Sequence, residues 1–223
     1  MSQHRREKRK IDGWVVLDKP LGMTSTTAVA AVRRIFKAEK AGHAGTLDPL
    51  ATGLMLVLVG KEFTRQADQL IKLDKSYDMG IALGFMSSTD DAEGELTAIS
   101  DKVPSEANIT AAIAVLTGEI LQKPPAYSAI KVGGQRAYKL ARAGKPVDIP
   151  ARSVTVYDWK VSSYIYPALT ASCGVSSGTY IRSLAHDLGD SLGTGAYLTE
   201  LRRTRVGEYS LDDAIPLETL LQT

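Results

Sequence analysis

Asp48 lies in a stretch that can hold one acid group still, Gly42-His43-Ala44-Gly45-Thr46-Leu47-Asp48-Pro49-Leu50-Ala51-Thr52-Gly53. Pro49 pushes the residue before it out of the helical region and into an extended or turn conformation. Gly42, Gly45 and Gly53 allow backbone geometries and close approaches that a Cβ would block. The apolar run Leu54 to Val59 follows at once and reads as a buried strand. A carboxylate on a stiff loop at the mouth of such a strand suits a positioned nucleophile or base. The same spacing also fits a tight turn whose Asp bonds its own backbone, and spacing alone weighs the two about equally.

Other side chains with chemical potential are scattered. His43 shares the Asp48 loop, where a lone histidine is ordinarily a surface hydrogen bonder. Lys131, Arg136, Lys139, Arg142 and Lys145 concentrate positive charge with Tyr127 and Tyr138 interleaved. That pattern is either a solvated helix face or the footprint of an RNA backbone and its loop bases. Arg202, Arg203 and Arg205 read as a second basic patch. Arg182 falls in a helical first turn, where arginines usually meet solvent, and Tyr77 reads as a sheet-face aromatic.

The elements that must position these groups follow from periodicity. Gly13 to Leu17 is a short strand, and Thr24 or Ser25 caps a helix with Val29, Val32, Ile35 and Phe36 on one face. Lys61 to Leu73 reads as one amphipathic helix with Phe63, Ala67, Leu70 and Ile71 inward. Tyr77 to Leu83 alternates as a strand, and Ser88 to Gly94 is a loop of turn formers. Pro104 to Thr117 is a helix that Gly118 stops. Gln122 to Arg136 is a loop region leading to a short helix around Ala137 to Ala143. Arg152 to Tyr166 alternates through Val154, Val156, Trp159 and Val161, and Ala168 to Val175 is its partner, with Pro167 at the bend. A last helix carries Tyr180, Leu184, Leu188 and Leu192 four apart and ends at Gly193, and Leu198 to Ser210 is a further strand.

Composition narrows the class. A chain of 223 residues with 44% hydrophobic and 23% charged residues can bury a sizeable core as one large or two small domains. The net charge of +2 leaves nucleic-acid contact to local clusters. The single cysteine, Cys173, excludes an intrachain disulfide, reads as a small core residue and fits a reducing cytosol. With His4, His43 and His186 scattered, no zinc site is expected. No run approaches ~18 apolar residues, so no membrane span is expected, and a cytoplasmic location is.

The HAGTLDPLATG loop, with LDKPLGMTS upstream and SSGTYIRSLAHDLG downstream, resembles the TruB-type tRNA pseudouridine synthases, which isomerise uridine 55 of the T loop. The resemblance runs from about Gly13 to Leu220 through three motifs in the family's order. It implies an α+β pseudouridine synthase fold, a central mixed, mostly antiparallel sheet flanked by helices and loops. It implies that Asp48 is the nucleophile and that Arg182 pairs with it, keeping the carboxylate ionised and oriented. It makes Tyr77 the ring that stacks on the target uracil, His43 the ring that fills the vacated space, and Leu201 the side chain over the base. Lys19 and Pro20 support the loops. Tyr180, Lys19, Lys131, Arg142 and Arg203 join His43 and Leu201 as expected substrate contacts. Residues 122–151 resemble the insertion that clamps the T loop.

A basic flexible tail is expected over 1–12 and one catalytic domain over 13–223, with no C-terminal PUA-type domain after it. The expected partner is the T arm of tRNA, met by a monomer that needs no cofactor and no metal. A tRNA-binding folding chaperone and a synthase for another RNA are the alternatives.

Overall fold

The computed structural model describes residues 9–222. Its elements in chain order are β1 (Gly13–Lys19), α1 (Ser25–Ile35), β2 (Ala41–His43), β3 (Ala51–Val59), α2 (Gly60–Thr64), α3 (Ala67–Ile71), β4 (Lys75–Leu83), β5 (Phe85–Ser87), β6 (Leu96–Ala98), α4 (Glu106–Val115) and β7 (Gly118–Gln122). There follow β8 (Lys131–Val132), β9 (Gln135–Arg136), α5 (Ala137–Arg142), β10 (Arg152–Ile165), β11 (Ala168–Val175), α6 (Ile181–Leu192), β12 (Ala196–Val206), β13 (Tyr209–Ser210), β14 (Ile215–Pro216) and α7 (Leu217–Leu221). The chain divides into two compact units, one of residues up to Tyr77 and from Arg202 onward, the other of Asp78–Leu201. The α+β class expected from the sequence holds.

In the first unit the strand order is β14-β1-β3-β12, with β2 added to β3 and β13 to β12. β1 runs parallel to β14 and antiparallel to β3, so the sheet is mixed. Its core gathers Ala44, Leu54, Leu56, Leu58 and Val206, with Phe63, Leu70, Leu73 and Tyr209 packed against them. Each fully buried Leu adds about 1.5–3 kcal/mol of hydrophobic stabilisation, and this rigid floor is what β3 offers the Asp48 loop. Thr24 caps α1 by accepting from the Thr27 N–H at 3.1 Å. The single helix expected over 61–73 is two short ones. Thr64 Oγ1 donates back to the Gly60 carbonyl at 2.8 Å, a side-chain bond that competes with helix continuation, and Ile71 ends 41% exposed. Residues 1–8 of the expected tail lie outside the described residues. Arg9 is tied down, its N–H donating to the Lys37 carbonyl at 2.7 Å, and Asp12 Oδ1 accepts the Glu62 N–H at 3.1 Å.

In the second unit the order is β12-β4-β11-β10-β7. β10 and β11 pair antiparallel around Tyr166 and Pro167, with Trp159 opposite Cys173. The even alternation expected along β10 breaks at a bulge between Val156 and Asp158. Val154, Val156 and Trp159 are buried, but a second irregularity leaves Val161 41% exposed. β7 pairs with β10 and was not anticipated, since five residues between a helix stop and a proline run carry little periodicity. The expected loop at 131–136 is a hairpin. Gly133 and Gly134, both at positive φ, are the two-residue turn that its sequence signals.

Candidate active site

The loop that carries Asp48 is fixed along its length within the first unit. His43 pairs with Val57, and the Ala44 N–H donates to the Leu56 carbonyl at 3.0 Å. Ser25, the first residue of α1, is buried against the loop. Its Oγ donates to the Leu47 carbonyl at 2.9 Å and accepts the Leu47 N–H at 2.8 Å. On the other side, the Ala51 N–H donates to the Asp48 carbonyl at 3.0 Å and the Gly22 N–H to the Pro49 carbonyl at 2.9 Å. The Asp48 backbone is therefore held from both directions, and the residue is half-buried. Gly53 (φ 96°) closes the loop where a Cβ would collide with the Arg203 backbone.

Three cations are buried around this loop. Arg203 is 1% exposed. Its Nε donates to the Leu54 carbonyl at 2.7 Å, and its terminal nitrogens reach the Thr46 and Gly45 carbonyls at 3.4 Å. Lys75 Nζ donates to the carbonyls of Ile71 (2.9 Å) and Leu73 (2.6 Å). Lys19, fully buried, donates to Pro20 (2.9 Å) and Met23 (2.7 Å). Burial lowers the Lys19 pKa to about 8, with the Asp48 charge opposing that fall and Arg203 deepening it. Burial first, then Arg203, lowers Lys75 to about 8. His43 is also pushed below its ordinary value, by burial first and Arg203 second, which leaves a neutral, flat imidazole at pH 7. The Asp48 charge thus acts on a buried lysine beside its loop.

One expectation changes here. Arg202, Arg203 and Arg205 do not form one basic patch, because strand alternation turns Arg203 inward to backbone carbonyls. Arg202 instead forks onto Asp18 at 2.7 and 3.2 Å, and Arg205 donates to the Gly207 carbonyl at 2.7 Å. Arg203 and Lys19, expected among the substrate contacts, are both buried, with their donors on backbone carbonyls. Tyr77 is 7% exposed on the same face of β4 as Lys75 and Met79, and Leu201 is half-buried on β12.

In the second unit the start of α6 is equally constrained. Gln122, fully buried, accepts the Tyr180 N–H at 2.8 Å and donates to the Tyr180 carbonyl at 3.1 Å. The Arg152 guanidinium lies 5.3 Å from the Tyr180 ring centroid. Arg182, in the first turn of α6, is 5% exposed. Its Nε is 3.5 Å from Asp91 Oδ2, and it donates to the carbonyls of Thr89 (3.1 Å) and Tyr127 (3.0 Å). A guanidinium can be buried when its charge and donors are met in this way. Lys131 and Arg142 are exposed on the hairpin and α5, with the Arg142 guanidinium 5.8 Å from the Tyr138 ring. Among the described residues no group of three or more His, Cys, Asp or Glu is placed to hold a metal ion, and no helix is long and apolar enough to cross a membrane.

Sequence reasoning gave Lys75 and Gln122 no role and read Ser25 only as a candidate helix cap. Lys75 was within reach, since it shares the period of two with the buried Tyr77, Met79, Ile81 and Leu83. Gln122 gave no signal, because its partner is backbone 58 residues away.

The fold and this loop define a class, the pseudouridylate synthases. A model described as TruB family pseudouridylate synthase (N terminal domain) matches residues 33–181, and one described as tRNA pseudouridylate synthase B C-terminal domain matches 182–223. The chain is 47% identical over 219 residues to tRNA pseudouridine synthase B of Caulobacter vibrioides, covering 97% of this chain and 70% of that protein. Against the Pseudomonas aeruginosa protein of the same name the identity is 46% over 220 residues, covering 99% and 72%. The chain belongs to the TruB family. Among solved structures, the archaeal box H/ACA sRNP Nop10-Cbf5 complex contains a chain matching with a TM-score of 0.70 at 32% identity, over 94% of this chain and 53% of that one. A Cbf5-Nop10-Gar1 complex contains one matching with a TM-score of 0.73 at 30% identity, over 98% and 61%.

Proposed function

We propose that this chain isomerises uridine to pseudouridine in tRNA, at position 55 of the T loop, with Asp48 as nucleophile. The observation that carries the reading is the Asp48 loop itself. Its backbone is pinned on both sides, and its carboxylate interacts with a fully buried lysine. Such a group is pre-positioned, so no reorganisation is needed during the reaction.

The reaction breaks the N1–C1′ bond and forms C5–C1′. The C5 proton leaves and N1 gains one, so nothing is oxidised or added. A carboxylate that attacks C1′ or C6 frees the base to turn, and both routes end in loss of the C5 proton. The uridine must leave the loop stack first, at about a few kcal/mol. In this reading the neutral His43 ring fills the vacated stack, Tyr77 stacks on the uracil and takes part in the proton transfer, and Leu201 packs over the base. Arg182 serves as the guanidinium partner of the Asp48 carboxylate. Its own support, the Asp91 ion pair and two backbone carbonyls, suits a fixed rather than a roaming cation. Tyr180 contacts the substrate from its fixed position. Lys131 and Arg142, exposed beside Tyr127 and Tyr138, meet the T-arm backbone of the RNA. The acting species in this reading is a monomer in the cytoplasm.

The test is a position map of pseudouridine in an unmodified tRNA transcript, a T-arm hairpin and an unrelated structured RNA. One product at position 55 of the first two supports the reading. Product only in another RNA, or tRNA refolding with no product, overturns it.

A further inference from the structure

α6 directs two basic side chains at one turn. Arg182 donates to the Thr89 carbonyl at 3.1 Å and sets Nε 3.5 Å from Asp91 Oδ2. His186 follows one helical turn later, with Nδ1 2.9 Å from Asp90 Oδ1 and Nε2 3.4 Å from Asp190 Oδ2. A ring with a carboxylate at each nitrogen satisfies both only when both nitrogens carry protons. The geometry alone thus calls for an imidazolium. Asp90 also sits at φ 61°, a left-handed conformation that side-chain-bearing residues seldom adopt, so something must hold it. Its backbone is bonded on either side, the N–H to the Ser87 carbonyl at 3.1 Å and the carbonyl to the Leu198 N–H at 3.0 Å. Asp91 in turn braces the turn by accepting from Thr89 Oγ1 at 2.6 Å and from the Glu93 N–H at 3.0 Å.

We propose that His186 is a positioning residue, whose imidazolium clamps Asp90 to α6 and so keeps the Thr89–Asp91 turn in register with the Arg182 guanidinium. This rests on the role given to Arg182 above. The groups that face His186 are Asp90 from the turn and Asp190 and Asp187 from α6, all acidic. The Asp90 hydrogen bond is the largest influence on its pKa, which rises to about 9 against the opposing effect of burial. Asp187 is itself raised to about 6 by burial. With a folded value above the unfolded one, the clamp is complete below the ordinary histidine range and is lost as pH rises through about 9. The turn then loosens, and Arg182 loses its bracing while the Asp48 loop is untouched.

The test combines titration of the His186 ring by NMR in the full chain with turnover of a T-arm hairpin. His186 should titrate near 9 in the wild type and fall toward the ordinary histidine value in Asp90→Asn. His186→Gln should lower turnover about tenfold, the size of one lost charge-assisted contact, with hairpin affinity changed less than about twofold. The wild type should lose rate between pH 8 and pH 10 more steeply than His186→Gln, and His186→Arg, which keeps its charge, should recover most of the rate. The Nε–H resonance of Arg182 should shift in His186→Gln. A His186 that titrates at the ordinary value, or a His186→Gln enzyme with wild-type turnover and an unmoved Arg182 signal, overturns the proposal. The two NMR signals read the clamp even if the wild type forms no pseudouridine, which separates its failure from failure of the functional reading.

Discussion

Ser25 and Leu47 exchange two hydrogen bonds, a hydroxyl answering both the carbonyl and the N–H of one residue at 2.9 and 2.8 Å. The residue so held is the one before Asp48, and it is 4% exposed. Ser25→Ala leaves a buried donor and a buried acceptor unmet, a loss of about 2 kcal/mol of stability. Turnover should fall further than stability alone explains, with tRNA affinity little changed. Denaturant unfolding alongside single-turnover rates checks both.

The pH dependence of stability carries the mark of Lys19. Its folded pKa of about 8 lies below the ordinary 10.5, so between those values the unfolded chain binds more protons than the folded one. Stability gained from Lys19 therefore rises with pH across that window, by at most about 1.4 kcal/mol per pH unit. Lys75 acts in the same direction and His186 in the opposite one. The difference between wild type and Lys19→Met isolates the lysine: unfolding at pH 8, 9 and 10 should show a shallower upward slope in the variant. Asp48→Asn should lower the Lys19 pKa further, since the Asp48 charge is what opposes its fall.

Gln122 joins β7 to the start of α6 through both polar atoms of the Tyr180 backbone. Gln122→Ala should cost about 2 kcal/mol through unmet buried groups. It should also raise KM for the T-arm hairpin more than it lowers kcat, because Tyr180 is assigned to binding. An equal fall in kcat with unchanged KM would reassign Tyr180 to the chemistry.

Much of this molecule was legible in its residue order, and the rest is missing for identifiable reasons. The buried strand after Gly53, the Thr24 cap and the Gly193 stop are local signals, and each stands where periodicity and capping put it. The Asp48 loop was readable from Pro49 and the glycines. Most of what escaped is non-local. Arg203 looks like a surface cation until β12 turns it toward the carbonyls of Gly45, Thr46 and Leu54, 149 to 158 positions away. Lys19 escaped although its partners are local, since its ammonium turns back onto the carbonyls of Pro20 and Met23, one and four positions on. The first β10 bulge moves the inward set from Val154 and Val156 to Trp159, and no composition cue announces it.

The most direct measurement is tritium release from a T-arm hairpin carrying C5-labelled uridine, run with wild type and Asp48→Asn at matched RNA occupancy. Wild type should release the label with single-turnover kinetics. Asp48→Asn should bind the hairpin within about twofold of wild type and release none, as expected when an interaction made only in the transition state is removed. Label release by Asp48→Asn at a rate close to wild type would contradict the account at its root.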